Sequence, residues 1–144
     1  MRTLFGFHRG DAAQSLVEFA LVLPIFLLVV TGLFDLARAV WQENTLAYSA
    51  REGTRYAIVH GSGATLQVGP SDPAEPNIGA VVRAAAIGVQ NITVTTAWPD
   101  GDNDRGMRVS VDATAPFVPL PSYYLLGSAF QINLRGGSML VIQQ

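Results

Sequence analysis

The sequence predicts an α+β chain in which a long N-terminal helix starts in a membrane and continues into a small outer domain with a second helix and an antiparallel sheet. Three observations carry that expectation. Phe19 to Phe34 is an apolar run without a charge, interrupted only by Pro24, Thr31 and Gly32. The helical pattern does not stop there but continues through Trp41, Leu46, Tyr48, Ala50 and Ala57. Further on, two segments alternate apolar and polar residues with the period of strands facing a core.

Together with Ser15 to Glu18 the apolar run reaches about 20 residues, enough to cross roughly 30 Å of hydrocarbon at 1.5 Å per residue. Arg2 and Arg9, with His8 between them, precede it, and the positive-inside tendency then keeps the N-terminus in the cytoplasm and sends the rest outward. The tripeptide Ala37-Arg38-Ala39 has the small-x-small form of a signal-peptidase site. Against a cleaved signal stand the length of the run, beyond the usual 7–15 residues or so, and the acid Glu18 inside it. The span is expected to stay. Read as one helix, Ser15 to Val59 is about 67 Å long, and Pro24 is expected to loosen it locally by removing a backbone donor. The expected organisation is residues 1–13 as a cytoplasmic leader segment, 14–34 as the membrane part of the helix, and 35–144 as the extracytoplasmic domain.

Gly and Pro residues from His60 to Asn77 mark a surface loop. Ile78, Val81, Val82, Ala85, Ala86 and Val89 then recur at i, i+3, i+4, i+7, i+8 and i+11, which predicts a short amphipathic helix. Ile92, Val94, Thr96 and Trp98 alternate with polar or small residues, as do Met107, Val109, Val111 and Ala113. The pair is expected as an antiparallel hairpin closed by the polar loop from Pro99 to Gly106. A Pro-rich stretch (Pro116, Pro119, Pro121) precedes one or two further strands in Phe130 to Leu134 and Ser138 to Ile142, around Gly136-Gly137.

Composition excludes several classes. The 144 residues allow one modest domain beyond the span, a net charge of −2 offers no basic stripe for nucleic acid, and the absence of cysteine removes disulfides and thiolate metal sites. The Asp100, Asp102 and Asp104 carboxylates are spaced like the first calcium-loop ligands. However, Gly106 falls one position late and Val111 stands where a Glu is needed, so a plain hairpin tip explains them equally. His8 and His60 have no neighbouring nucleophile or ligand spacing. Neither a Ser-His-Asp order nor a phosphate-binding glycine loop is present, and the chain is expected to be no enzyme and to hold no cofactor. Ala47, Ala50, Gly53 and Ala57, with Thr54, make a thin helix stripe suited to close packing on the sheet or on another long helix.

Two stretches carry a resemblance. Gln14-Ser-Leu-Val-Glu-Phe-Ala-Leu-Val-Leu-Pro24 puts an acid just before the apolar run, and Ala47-Tyr-Ser-Ala-Arg-Glu-Gly-Thr-Arg-Tyr-Ala57 is similar to an "A-A-R-E-G-A-R-Y-A" segment. Both resemble the TadE-like family, minor pilin-type proteins of Tad (Flp) pilus systems, over roughly the first 60 residues. The resemblance implies a pilin-like fold and a structural role as a minor pilin or pseudopilin in pilus assembly or initiation. The implied partners are other pilin-type subunits, the assembly machinery, a prepilin peptidase and the membrane. It further implies a cut between Ala13 and Gln14, leaving Glu18 fifth and Phe19 sixth in the mature chain as the residues concerned with processing and assembly. The sequence departs from the family at Ala13, where Gly is usual, the nearest being Gly10. Glu18 would then pair with a neighbour's new N-terminal amine. Beside this stands a local reading, in which Ser15-Leu-Val-Glu18 is a capping box at the helix start. The alternative from another class is a single-pass anchored envelope protein whose outer domain binds a ligand or surface.

Overall fold

The computed structural model describes residues 9–71, 76–126 and 130–143. Residues 1–8, which include Arg2 and His8, lie outside the described residues, as does the part of the expected loop from 72 to 75. The elements run α1 (Arg9–Ile58), α2 (Pro76–Ala85), β1 (Thr93–Ala97), β2 (Arg108–Phe117), α3 (Leu120–Leu126) and β3 (Ile132–Val141). The fold is α+β, with one three-stranded antiparallel sheet in the order β1-β2-β3.

At 50 residues α1 is about 75 Å long. It passes through Pro24 without a break and starts six residues before Ser15. Its two halves have opposite surroundings. From Leu16 to Phe34 the large side chains are exposed apart from the half-buried Val30, whereas Leu46, Ser49, Ala50, Gly53, Thr54 and Ala57 are buried against the domain. The buried hydroxyls cost little because each is satisfied within the helix: Ser49 Oγ donates to the Leu46 carbonyl at 2.9 Å and Thr54 Oγ1 to the Ala50 carbonyl at 2.7 Å.

β2 is the central strand and the core of the sheet. Val109, Val111, Ala113, Ala115 and Phe117 all point inward at 4% exposure or less, the strict alternation of a half-buried strand. β1 pairs with it only from Thr93↔Thr114 to Ala97↔Ser110, while β3 pairs along its whole length, from Phe117↔Ile132 to Arg108↔Val141. Pro116 therefore lies where β2 has no β1 partner, and a missing N–H on that side costs no ladder bond. Its carbonyl accepts from Gln42 Nε2 at 3.2 Å.

The final segment is one strand rather than two, running straight through Gly136-Gly137. The reason is tertiary. A Cβ on Gly136 would overlap the backbone of Leu46 and Ala47, so this glycine is where α1 lies directly on the sheet. Gly53 does the same for α2, since a Cβ there would come within 2.5 Å of Val82 Cγ2. α2 ends at Ala85 instead of continuing to Val89, because the chain turns at Gly88 in the left-handed region (φ +79°).

The expected hairpin tip is present between Ala97 and Arg108, with Gly101 and Gly106 at φ +82° and +92°. Asn103 ties it to the preceding loop, donating from Nδ2 to the Val68 carbonyl at 2.9 Å and accepting from the Ser62 N–H at 3.0 Å.

Candidate functional site

The chemistry of this chain is concentrated along α1. Among the described residues one helix, Ala13–Ile58, is long and apolar enough to cross a membrane, and its most apolar stretch is not buried by the domain at all. Leu21, Ile25, Phe26, Leu33 and Phe34 are each more than half exposed. Thr31 is suited to lipid because its hydroxyl donates to the carbonyls of Leu27 and Leu28, at 2.9 and 3.0 Å.

At one end of the span stands Glu18. Its Oε1 accepts from Gln14 Nε2 at 3.0 Å, one helical turn earlier, and the side chain is otherwise open to the surroundings. The capping-box reading of Ser15 and Glu18 does not hold in the uncut chain, because α1 already begins at Arg9 and both residues lie in its interior. Ala13 and Gln14 are likewise helical, so a peptidase acting between them has to unwind this first turn and a half locally. A cut there would put the Gln14 amine at a new helix start.

At the other end stands Asp35, which in the sequence marks only the close of the apolar run. It is buried, at 6% exposure. Its Oδ1 accepts from Arg38 Nη1 at 2.7 Å and its Oδ2 from the backbone N–H of Leu120, also at 2.7 Å. Arg38 in turn lies 5.3 Å above the centre of the Phe117 ring, a favourable place for a cation. Asp35 and Arg38 thus fasten the end of β2 and the start of α3 to the helix at the edge of the span. A signal-peptidase cut after Ala39 would remove both partners from the domain they hold. Nothing in the local sequence announces this contact, which joins residues 85 positions apart.

Ala47, Ala50, Gly53 and Ala57 do not form a free stripe for a second chain. Ala50 and Ala57 are at most 1% exposed, Gly53 is buried, and Ala47 is half-buried beside Gly136. Small residues here let the sheet and α2 approach the helix axis.

The three hairpin aspartates do not converge. Asp100 is taken up by Arg108, accepting from its backbone N–H at 2.8 Å, its Nε at 3.0 Å and its Nη2 at 2.6 Å. Asp102 accepts from the Asn103 N–H at 2.7 Å. Among the described residues no three metal-ligating side chains come together. The hydrogen bonds from the Arg108 side chain and backbone hold the Asp100 carboxyl down at about 2. A depressed carboxyl contributes stability above its unfolded value near 4 and loses it as the pH falls through about 2. A carbon-detected NMR titration should therefore find Asp100 ionised at pH 3, and Arg108→Gln should return its midpoint to the ordinary carboxylate range. An unshifted midpoint in the parent protein would disprove the clamp. His60 is also structural: its Nδ1–H donates to the Tyr56 carbonyl at 2.7 Å and its ring stacks on Tyr56 with centroids 4.0 Å apart.

No curated protein and no solved structure matches the chain. The segment that combines the acid, the exposed span and most of the small-residue face does find a match: residues 13–55, which lie within the long helix, are similar to the family described as TadE-like protein.

Proposed function

We propose that this protein is a minor pilin or pseudopilin that acts structurally, without catalysis, in assembling or initiating a Tad-type pilus. The observation that supports it is α1 itself. A TadE-like helix carries an acid at the head of a largely exposed apolar span and, without interruption, becomes the spine of a folded domain. A mere anchor needs neither the acid nor the continuity. A helix that must hold a domain at a set height while its apolar half packs among other apolar helices needs both. The N-terminus faces the cytoplasm and the domain lies outside, as the arginines before the span favour. The peptidase acts between Ala13 and Gln14, and the partners are pilin-type subunits and the assembly machinery in the same membrane.

Deleting the gene in the native cell tests the reading. Pili should be lost and restored by the intact gene, and the protein extracted from membranes should have the intact mass of a chain beginning at Gln14. Normal piliation in the deletion strain would overturn the assembly role, and a mass beginning at Met1 would overturn the processing.

A further inference from the structure

We propose that α3 and the turn leading into it form a second membrane element, seated in the leaflet on the domain's side and holding the domain down against the bilayer beside its own spanning helix. The inference rests on α1 being membrane-inserted, and its test separates the two claims.

The first observation is where the contacts place α3. Leu120, Pro121 and Tyr124 form one wall of an apolar groove of about 430 Å³ whose other wall is Pro24, Leu27, Leu28 and Thr31 of the span. Those four residues lie between four and eleven positions before Asp35, or roughly 6–16 Å along the helix on its apolar side. If the span is in lipid, a helix packed beside it at that level is in lipid too. The occupant of the groove is then the acyl chain region that surrounds the span. No other partner is needed to cover it.

The second observation is charge. From Ala113 to Leu134 there is no Asp, Glu, Lys or Arg. The residues that bound this stretch, Asp112 and Arg135, are ion-paired with each other at 2.8 Å on the adjoining strands. β2 descends along α1 toward the span, with Pro116 bonded to Gln42, Phe117 under Arg38 and Leu120 bonded to Asp35. The charge-free end of the sheet is therefore its membrane end.

The third is the backbone. A segment entering lipid has to satisfy its polar groups internally. The start of α3 reduces that cost in an unusual way: Leu120 donates its N–H to the buried Asp35 carboxylate, Pro119 and Pro121 have no N–H, and Tyr123 donates to the Pro119 carbonyl at 3.0 Å. The prolines that look like a loop signal in the sequence remove donors where water is scarce. Tyr123 and Tyr124 are 58% and 78% exposed, and tyrosines are enriched at the boundary between headgroups and acyl chains.

The test uses the full chain, which has no native cysteine to remove. Single cysteines made by Tyr124→Cys, Leu28→Cys and Arg105→Cys carry an environment-sensitive fluorophore. The labelled proteins are reconstituted in phosphatidylcholine–phosphatidylglycerol vesicles containing lipids with a shallow acyl-chain quencher. Emission at 124 should be blue-shifted and quenched about as strongly as at 28, several-fold more than at 105, and Tyr123→Cys should behave like Tyr124→Cys. Quenching at 28 with a water-like signal at 124 and 123 would overturn the seating of α3 while leaving the span intact. A water-like signal at 28 as well would overturn both. Shielding of 124 only in native membranes that contain the pilus subunits would give the groove to a partner protein and likewise overturn the proposal.

Discussion

Gly136→Ala should unseat the long helix from the sheet and lower the melting temperature of the detergent-solubilised chain. A Cβ at this position has nowhere to go, because the atoms it meets are backbone atoms of Leu46 and Ala47, not the flexible end of a side chain. Relief requires α1 to lift from β3. That also disturbs the Thr54 contact with the Ser138 carbonyl and the bond from Gln143 N–H to the Ile58 carbonyl, both along the same interface. Overpacking of a core costs roughly 1–3 kcal/mol and sometimes more, and with an immovable obstacle the upper end applies. In a domain whose whole stability is about 5–15 kcal/mol, each kcal/mol moves the midpoint by about 4–8 °C. Gly32→Ala provides the control, since a Cβ there meets nothing within 4 Å and Ala suits a helix interior better than Gly, so it should not lower the midpoint. Equal midpoints for Gly136→Ala and the parent chain would mean that helix and sheet are not in rigid contact at this point.

The same position shows what a sequence can and cannot announce. The apolar run, the helix that outlives it, the amphipathic second helix and the alternating hairpin are all local patterns, and α1, α2, β1 and β2 stand where those patterns lie. Gly136-Gly137 reads locally as a break between strands, yet β3 runs through it, because the missing side chain serves a helix nearly 90 residues earlier. α3 was hidden for a related reason. Seven residues with a proline second in line have too few turns to show a period, and their stability comes from Asp35 and from the wall of the span. Asp35 could be seen as the end of the apolar run but not as the ligand of a distant N–H. The aspartates of the hairpin show the limit of spacing in the other direction. Their spacing resembles the start of a calcium loop without completing one, and does not reveal that Arg108, four residues beyond Asp104, is the charge that Asp100 meets.

Glu18→Gln should yield a protein that is made, inserted and cut between Ala13 and Gln14, yet fails to co-purify with the other pilin-type subunits and leaves the cell without normal pili. Within the chain the substitution removes little. Glu18 accepts a hydrogen bond from Gln14 within one turn of an exposed helix, and a glutamine keeps a carbonyl oxygen to accept it. Insertion is not impaired, because a neutral side chain enters hydrocarbon more easily than an acid. No contact with the folded domain is lost either: Glu18 lies 17 positions before Asp35, or roughly 26 Å along the helix. What remains to be lost is intermolecular. On the proposed processing every subunit would carry a Gln14 amine at the head of its span, and in low dielectric an amine left without its carboxylate is destabilised by about 3–5 kcal/mol. A loss of that size reduces association by two orders of magnitude or more at about 1.4 kcal/mol per tenfold. Glu18→Asp is the discriminating companion: it keeps the charge but shortens its reach, and should recover part of the assembly that Glu18→Gln loses. If Glu18→Gln co-purifies and piliates like the parent, the acid acts only within its own helix, and the pairing with a neighbour is wrong.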